Sequence, residues 1–177
     1  MIKTIKKFNE IEIIPNSLVV LDIDETILKF DGIDMKWWKN KFNKNYIVSR
    51  DYKIADKLTY YDWIKIISRS NPELVDNNFH NFINLITENN CELILLTARS
   101  VTLKNITLEH LNQINFSFNE DKIYFNENKG DELNKIINEK YLNMKNIIVV
   151  DDAEPNLYDI KEKIPEQYNL YLYKMII

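Results

Sequence analysis

The chain has 177 residues, of which 45% are apolar and 28% charged, and its formal net charge at pH 7 is −4. This length suits one domain, or one domain with a modest insertion, and the apolar content allows a substantial core. The acidic balance gives no strong signal for nucleic-acid binding, and the single cysteine, Cys91, excludes an internal disulfide. No run is apolar and long enough for a signal peptide or a membrane span, so we expect a cytoplasmic protein without a membrane partner.

Short apolar runs along the chain predict the buried strands of a parallel sheet, because they are continuous rather than alternating. The predicted strands are Ser17–Ile23, Cys91–Leu96, Lys122–Phe125, Asn146–Val150 and Leu170–Lys174. Apolar residues at helical spacing predict helices between these strands, over Leu74–Ile86, Leu103–Ile114, Leu133–Tyr141 and a short stretch after Pro155. Alternating strands and helices indicate an α/β fold, a Rossmann-like doubly wound parallel sheet.

One segment does not follow this alternation. Residues 30–70 contain all three tryptophans and two helix-like runs, near Met35–Phe42 and Ala55–Ser68. We expect residues 1–29 and 71–177 to form the core, and residues 30–70 to form a small helical insertion over the carboxyl edge of the sheet. Open α/β sheets bind their ligands at that edge.

Polar residues follow four of the predicted strands, at the point where each strand ends. They are Asp22 and Asp24, then Thr97 and Arg99, then Lys129, and finally Asp151 and Asp152. Each alone is compatible with an ordinary turn, cap or solvated loop, but the carboxyl ends of parallel strands meet at one edge of a sheet. Several carboxylates held together require a cation, and an all-oxygen ligand set without clustered His or Cys favours Mg²⁺.

Magnesium in such a site commonly bridges protein carboxylates to a substrate phosphate. A carboxylate beside the ion can act as a nucleophile and form an aspartyl-phosphate that water later hydrolyses. A second carboxylate two residues further along can protonate the leaving group and then activate that water. The pattern therefore predicts chemistry on a phosphate ester.

These residues resemble the four motifs of the haloacid dehalogenase (HAD) superfamily. An apolar strand followed by D-x-D-x-T spans 18–26, and an apolar strand ending in Thr spans 93–99 as L-I-L-L-T-A-R. The lysine of the third motif corresponds to Lys129, and the acidic pair of the fourth to Asp151 and Asp152. The D-I-D-E-T and T-A-R-S runs are also similar to those of acid phosphatases in this superfamily.

The resemblance implies a role for each matching position. Asp22 would be the nucleophile and a metal ligand, and Asp24 the general acid and base, offering its backbone carbonyl to the metal. Thr97, the adjacent Ala98 and Lys129 would hold the phosphoryl oxygens.

The fourth motif implies the metal site itself. Asp151 would bind Mg²⁺ directly, and Asp152 would bind it directly or through water. By the same resemblance, an acid at position 24 favours a phosphatase or phosphotransferase over a dehalogenase. The insertion stands where members of the superfamily carry the small domain called a type-one cap. We therefore expect a Mg²⁺-dependent phosphoric monoester hydrolase.

The inserted segment would select the substrate. Trp37 and Trp63 are candidates for stacking on a nucleobase, although packing within the protein also explains them. Arg99 is a candidate contact for a second charged group, or a solvent-facing side chain. We expect a nucleotide or another small phosphorylated metabolite. The alternatives are a phosphatase acting on nucleic-acid ends or on a phosphoprotein, and a non-catalytic HAD-like binding module.

Overall fold

The computed structural model describes residues 1–177, and it confirms the predicted α/β fold with a parallel central sheet. The strands are β1 (Ile2–Ile5), β2 (Leu18–Leu21), β3 (Leu28–Lys29), β4 (Glu73–Leu74), β5 (Glu92–Thr97), β6 (Ile123–Phe125), β7 (Asn146–Asp151) and β8 (Asn169–Met175). The helices are α1 (Met35–Ser49), α2 (Tyr52–Ile67), α3 (Phe79–Glu88), α4 (Lys104–Gln113), α5 (Lys129–Lys140) and α6 (Glu154–Lys163).

Six strands form the central sheet in the order β1-β8-β7-β2-β5-β6, and every pairing in it is parallel. The central strand β2 pairs with β5 on one side and with β7 on the other, so Leu21 lies opposite both Leu95 and Val150. The chain leaves these three strands at the same edge of the sheet. The residues after Leu21, Leu95 and Val150 therefore lie near one another.

Successive residues of β2 point to opposite faces of the sheet, and each face is covered by two helices. Val19 and Leu21 belong to the apolar core that includes Phe79 and Phe82 of α3 and Leu111 of α4. Leu18 and Val20 belong to the other core, together with side chains of α5 and α6. Burial on both faces explains why β2 is a continuous apolar run, and it fixes the sheet as doubly wound.

The chain forms two compact units. The core unit comprises Met1–Leu28 and Leu74–Ile177, and the inserted unit comprises Lys29–Glu73. The short strands β3 and β4 pair with each other where the chain passes from one unit to the other and back.

The inserted unit is a hairpin of the two helices α1 and α2. The Asp34 carboxylate caps α1 by accepting a hydrogen bond from the backbone N–H of Trp37, and Asp51 caps α2 in the same way at Ile54. A salt bridge of 3.0 Å between Lys41 Nζ and Asp62 Oδ2 joins the two helices. None of the helices of the chain has the length and apolar character needed to cross a membrane.

Two details of the predicted elements are wrong. The prediction contained no strand before Ser17, yet Ile2–Ile5 forms β1 at the edge of the sheet beside β8. The predicted helix from Leu74 also starts too early. Leu74 ends β4, the backbone N–H of Val75 donates to the carbonyl of Ile27, and α3 begins only at Phe79.

Candidate metal and phosphate site

A buried lysine joins two carboxylates at the carboxyl edge of the sheet. Asp22 directly follows β2 and Asp151 ends the adjacent strand β7, and the backbone N–H of Asp22 donates to the carbonyl of Val150. Lys129 is the first residue of α5, and its side chain is only 2% exposed. Its Nζ lies 2.5 Å from Oδ1 of Asp22 and 2.6 Å from Oδ2 of Asp151. The structure thus brings the residues predicted from three separate motifs into one bonded cluster.

Asp152 adds a third carboxylate to this cluster. One oxygen from each of Asp22, Asp151 and Asp152 lies within 4.8 Å of the others, so these three side chains could hold a metal ion. The donors are all carboxylate oxygens, which suit a hard divalent cation. The side chain of Asp24 is not a member of this group, and its expected metal contact is through the backbone carbonyl.

The pKa values of the cluster follow from burial and from the excess of negative charge. Burial, helped by the neighbouring carboxylates of Asp151 and Asp24, raises the pKa of Asp22 to about 7 against the opposing effect of the Lys129 ammonium. Burial, with Asp22 and Asp151, raises the pKa of Asp152 to about 8. Burial lowers the pKa of Lys129, but Asp22 and Asp151 raise it by more, so Lys129 stays charged. One ammonium does not neutralise three carboxylates, and a bound cation would complete the neutralisation.

Asp151 is held in place by residues of the following helix. Its Oδ1 accepts hydrogen bonds from the backbone N–H of Ala153 at 2.9 Å and from Nδ2 of Asn156 at 3.0 Å. Sequence reasoning did not find Asn156, which lies in the first turn of α6. Its position one helical turn after Asp152 is the only signal that could have indicated it. The two bonds fix the orientation of the carboxylate that faces Lys129.

The first turn of α5, which carries Lys129, is fixed against α6. The backbone N–H of Gly130 donates to Oδ2 of Asp159 at 2.7 Å. A Cβ atom added to Gly130 would lie 2.6 Å from the backbone oxygen of Asp159, which is closer than side chains pack. Glycine is therefore required at this position for α5 to approach α6.

Asp24 forms an ion pair with Arg99 and lies outside the group of three carboxylates. Nε of Arg99 donates to Oδ2 of Asp24, and Nη2 donates to Oδ1, each at 2.7 Å. The Arg99 side chain is 1% exposed, so it does not face solvent. Its Nη1 donates to Oγ1 of Thr107 at 3.0 Å and lies 3.4 Å from Nδ1 of His110, both on α4. Neither α4 residue was among the predicted site residues, and a polar pair within an apolar helix pattern was their only signal.

Thr97 and Ala98 lie at the carboxyl end of β5, whereas Trp37 and Trp63 lie on the helices of the inserted unit. Thr97 ends β5 and is buried, and its Oγ1 accepts a hydrogen bond from the backbone N–H of Arg99 at 3.2 Å. Ala98 is exposed between these two buried residues. In the inserted unit, Trp37 makes an edge-on contact with Trp38, and Trp63 stacks on Tyr60 with ring centroids 5.6 Å apart.

Together, the parallel sheet and the three carboxylates at its edge define an α/β protein with a candidate metal site. The chain belongs to the family described as protein of unknown function DUF2608, whose match covers residues 2–127. The matched segment includes Asp22, Asp24 and Thr97 and ends before Lys129. No curated protein matches this chain.

Solved structures similar to this chain include the class C acid phosphatase from Bacillus anthracis. It has a TM-score of 0.47 and 15% sequence identity, and the alignment covers 89% of this chain and 66% of that one. The tungstate-bound form has a TM-score of 0.45 and 14% identity, with coverage of 90% and 68%. The chain thus spans about two thirds of the length of this enzyme.

Proposed function

We propose that this chain is a Mg²⁺-dependent phosphohydrolase of the HAD type, which cleaves a phosphate monoester through an aspartyl-phosphate at Asp22. One observation carries the proposal: the buried Lys129 ammonium contacts the carboxylates of Asp22 and Asp151 at the carboxyl edge of the sheet. A purely structural role is less favoured, because apolar side chains of similar volume would fill such a position at least as well as a buried ion pair. The order of the four motifs along the chain supports the same reading.

The carboxylates fit a magnesium ion. Asp22, Asp151 and Asp152 would hold it, since they offer only oxygen atoms and carry more negative charge than Lys129 neutralises. The backbone carbonyl of Asp24 is a fourth candidate ligand, by resemblance to the first HAD motif. When bound, the ion would offset negative charge on the phosphoryl oxygens.

Lys129 is suited to hold the phosphoryl group as well as the carboxylates. Its ammonium has three N–H donors, and two of them are directed at Asp22 and Asp151. We propose that the third donates to a phosphoryl oxygen. Two further contacts with the phosphoryl group are proposed at the end of β5, the strand beside β2. They are the hydroxyl of Thr97 and the backbone of Ala98.

The chemistry divides into two displacements at phosphorus. In the first, a carboxylate oxygen of Asp22 attacks phosphorus, the bond to the ester oxygen breaks, and Asp24 in its protonated form gives that oxygen a proton. In the second, water attacks the phosphorus of the aspartyl-phosphate, Asp24 accepts a proton from the water, and Asp22 is released with inorganic phosphate. Both oxygens of Asp24 accept hydrogen bonds from Arg99, so Asp24 must release at least one of these bonds to act as an acid.

A small phosphorylated metabolite or a nucleotide is the proposed substrate. Trp37 and Trp63 of the inserted unit are the proposed contacts for a base, and a substrate contact by Arg99 is set aside because its three donor nitrogens are directed at Asp24 and α4. Changing Trp37 or Trp63 to alanine should alter the ranking of a panel of phosphate esters. An unchanged ranking would remove base stacking from the proposal.

The direct test is hydrolysis of an aryl phosphate, followed by a panel of nucleotides and sugar phosphates, with and without Mg²⁺. Asp22→Asn should lower turnover by roughly 10³-fold or more, because the nucleophile is lost while the shape of the side chain is kept. Asp121→Asn makes the same chemical change at an exposed carboxylate and should leave turnover unchanged. Turnover without Mg²⁺, or turnover kept in Asp22→Asn, would contradict the proposal. A chain that binds no Mg²⁺ by calorimetry and hydrolyses no ester of the panel would instead be the binding module.

A further inference from the structure

Positive charge is concentrated in the inserted unit. Residues 29–73 contain ten of the 23 lysines and arginines but only six of the 27 acidic residues, which gives this segment a net charge of +4. The remaining 13 basic and 21 acidic residues give the core unit a net charge of −8. The overall charge of −4 thus conceals a basic unit within an acidic protein. An anionic partner would be attracted to this unit selectively.

The basic residues at the end of the helical hairpin have no ionic partners. Helix α1 contains four lysines and no acidic residue, and only Lys41 forms a salt bridge. Lys44, Arg50 and Lys53 are exposed and form no ion pair within the chain. The only acidic residue between Met35 and Ala55 is Asp51, whose carboxylate is engaged in capping α2.

The same end of the hairpin exposes apolar side chains. Tyr46, Ile47 and Val48 are consecutive in the last turn of α1, and Ile47 and Val48 are 74% and 84% exposed. Tyr52, at the start of α2, is 69% exposed and contacts Phe42, on which Tyr46 also stacks. Three consecutive apolar residues fan around a helix, so packing one face of α1 against α2 cannot cover them all. Surface exposure of such a run has a cost in water unless a partner covers it.

The tip of the hairpin is defined here as the apolar residues Tyr46, Ile47, Val48 and Tyr52 with the basic residues Lys44, Arg50 and Lys53. We propose that this tip docks reversibly onto an anionic lipid surface. The aliphatic side chains would enter the boundary between headgroups and acyl chains, and the tyrosines would lie at headgroup level. The basic side chains would contact the lipid phosphates.

A lipid surface is favoured because it satisfies both halves of the tip at once. A nucleic acid would use the cations and could stack on the tyrosines, but it offers no apolar environment for Ile47 and Val48. An anionic bilayer offers an apolar layer directly beneath a layer of phosphates. A peripheral contact of this kind needs no membrane-spanning helix. It departs from the expectation of no membrane partner, which rested on the lack of such a segment.

This inference is independent of the proposed phosphohydrolase. The contact should be weak and sensitive to salt, because three exposed cations and a few apolar side chains give only marginal membrane affinity. The electrostatic contribution is about 1 kcal/mol for each basic side chain near an anionic surface. Loss of all three charges should therefore weaken binding on the order of a hundred-fold.

The test is flotation of the full chain with phosphatidylcholine vesicles, with and without phosphatidylserine. We expect binding only to the vesicles that contain phosphatidylserine, and loss of it at high salt. The triple variant Lys44→Gln, Arg50→Gln, Lys53→Gln should lose binding by about two orders of magnitude. The matched control is a triple variant of the core unit, which changes the exposed Lys135, Lys145 and Lys161 to Gln. It removes the same amount of charge and should bind the vesicles like the wild type.

The apolar half of the tip is tested separately. Ile47→Ser with Val48→Ser keeps every charge and should lower vesicle binding at least about tenfold, with helix content checked by circular dichroism. Failure of the wild type to bind the phosphatidylserine vesicles would overturn the proposal, as would equal loss in the two triple variants. A wild-type dimer that this double variant converts to a monomer would show that a second copy covers the tip instead. If the same double variant lost aryl phosphate turnover but kept vesicle binding, the tip would contact the substrate rather than a lipid surface.

Discussion

Replacing Gly130 by alanine tests whether the close approach of α5 to α6 positions Lys129. The new Cβ atom would lie 2.6 Å from the backbone oxygen of Asp159 and 2.8 Å from its carbonyl carbon. These are backbone atoms, so they cannot move aside as a flexible side chain would. Either the helices separate, which lengthens the 2.7 Å hydrogen bond from the Gly130 N–H to Asp159 Oδ2, or the contact stays overpacked.

The change in the free energy of unfolding combines one of two alternative costs with one gain. Overpacking costs about 1–3 kcal/mol, and weakening a hydrogen bond to a charged acceptor costs about 1.5–3 kcal/mol. Whichever way the helices respond, the cost is about 1–3 kcal/mol, with a central value of about 2 kcal/mol. Alanine recovers up to about 1 kcal/mol from its higher helix propensity, and less in the first turn of a helix than in its interior. We therefore expect the free energy of unfolding to fall by about 1–2 kcal/mol. In a domain of this size that is about 2–8 °C in Tm.

Thermal and urea unfolding of the Gly130→Ala variant measure this loss directly. Lys135→Ala is the matched control, since it changes an exposed residue of the same helix and should shift stability by less than about 0.5 kcal/mol. A Gly130→Ala protein as stable as the wild type, or more stable, would show that helix propensity outweighs the contact. The close contact between Gly130 and Asp159 would then not be what fixes the first turn of α5, which carries Lys129.

Three other perturbations probe the site. Thr26, the last residue of the D-x-D-x-T run, has a buried Oγ1 without a hydrogen-bond partner. Thr26→Val should therefore leave the free energy of unfolding unchanged in urea titrations, or raise it by about 1 kcal/mol. A loss above about 1 kcal/mol would contradict this. Arg99→Met leaves the Asp24 carboxylate, which is 29% exposed, without its partner and should cost about 2 kcal/mol in the same assay. A cost below about 0.5 kcal/mol would show that the pair is unimportant for stability. Mg²⁺ affinity should rise from pH 6 to pH 8 in calorimetry, because the pKa values of about 7 for Asp22 and about 8 for Asp152 leave protons that the ion must displace; a flat profile would contradict this. Since these folded-state pKa values are raised, the metal-free protein should lose stability as pH rises through them, and Mg²⁺ should restore it.

The arrangement of the core could be predicted because its signals are local. The run Leu18–Leu21 is continuously apolar, which indicates a strand buried on both faces, and an acid directly after it marks the carboxyl edge of the sheet. The edge strand Ile2–Ile5 gave no such signal, because two of its four residues are polar and exposed. Helix α1 extends to Ser49, beyond the predicted Met35–Phe42, because α2 packs beside it and Asn45 bonds to Thr59.

The partners within the candidate site could not be predicted, because they depend on contacts between distant parts of the chain. Asp24 and Arg99 are 75 residues apart in sequence, and nothing in either segment indicates that they form a bidentate ion pair. Burial of Lys129 is likewise a property of the folded sheet, since lysines are usually exposed. The sequence indicated which residue types meet at the sheet edge, but it did not distribute the hydrogen bonds among them.

The most direct test of the central claim is to locate the phosphoryl group on the protein. Asp24→Asn removes both the proposed acid of the first step and the proposed base of the second. An aryl phosphate with an acidic phenol as leaving group needs little proton donation, so the first step should continue while the second is slowed, and an aspartyl-phosphate should accumulate in the presence of Mg²⁺. After an acid quench, peptide mass spectrometry of this variant should place one phosphoryl group on Asp22, and the Asp22→Asn, Asp24→Asn double variant should carry none. A phosphoryl group on another residue, or one that persists in the double variant, would contradict the account.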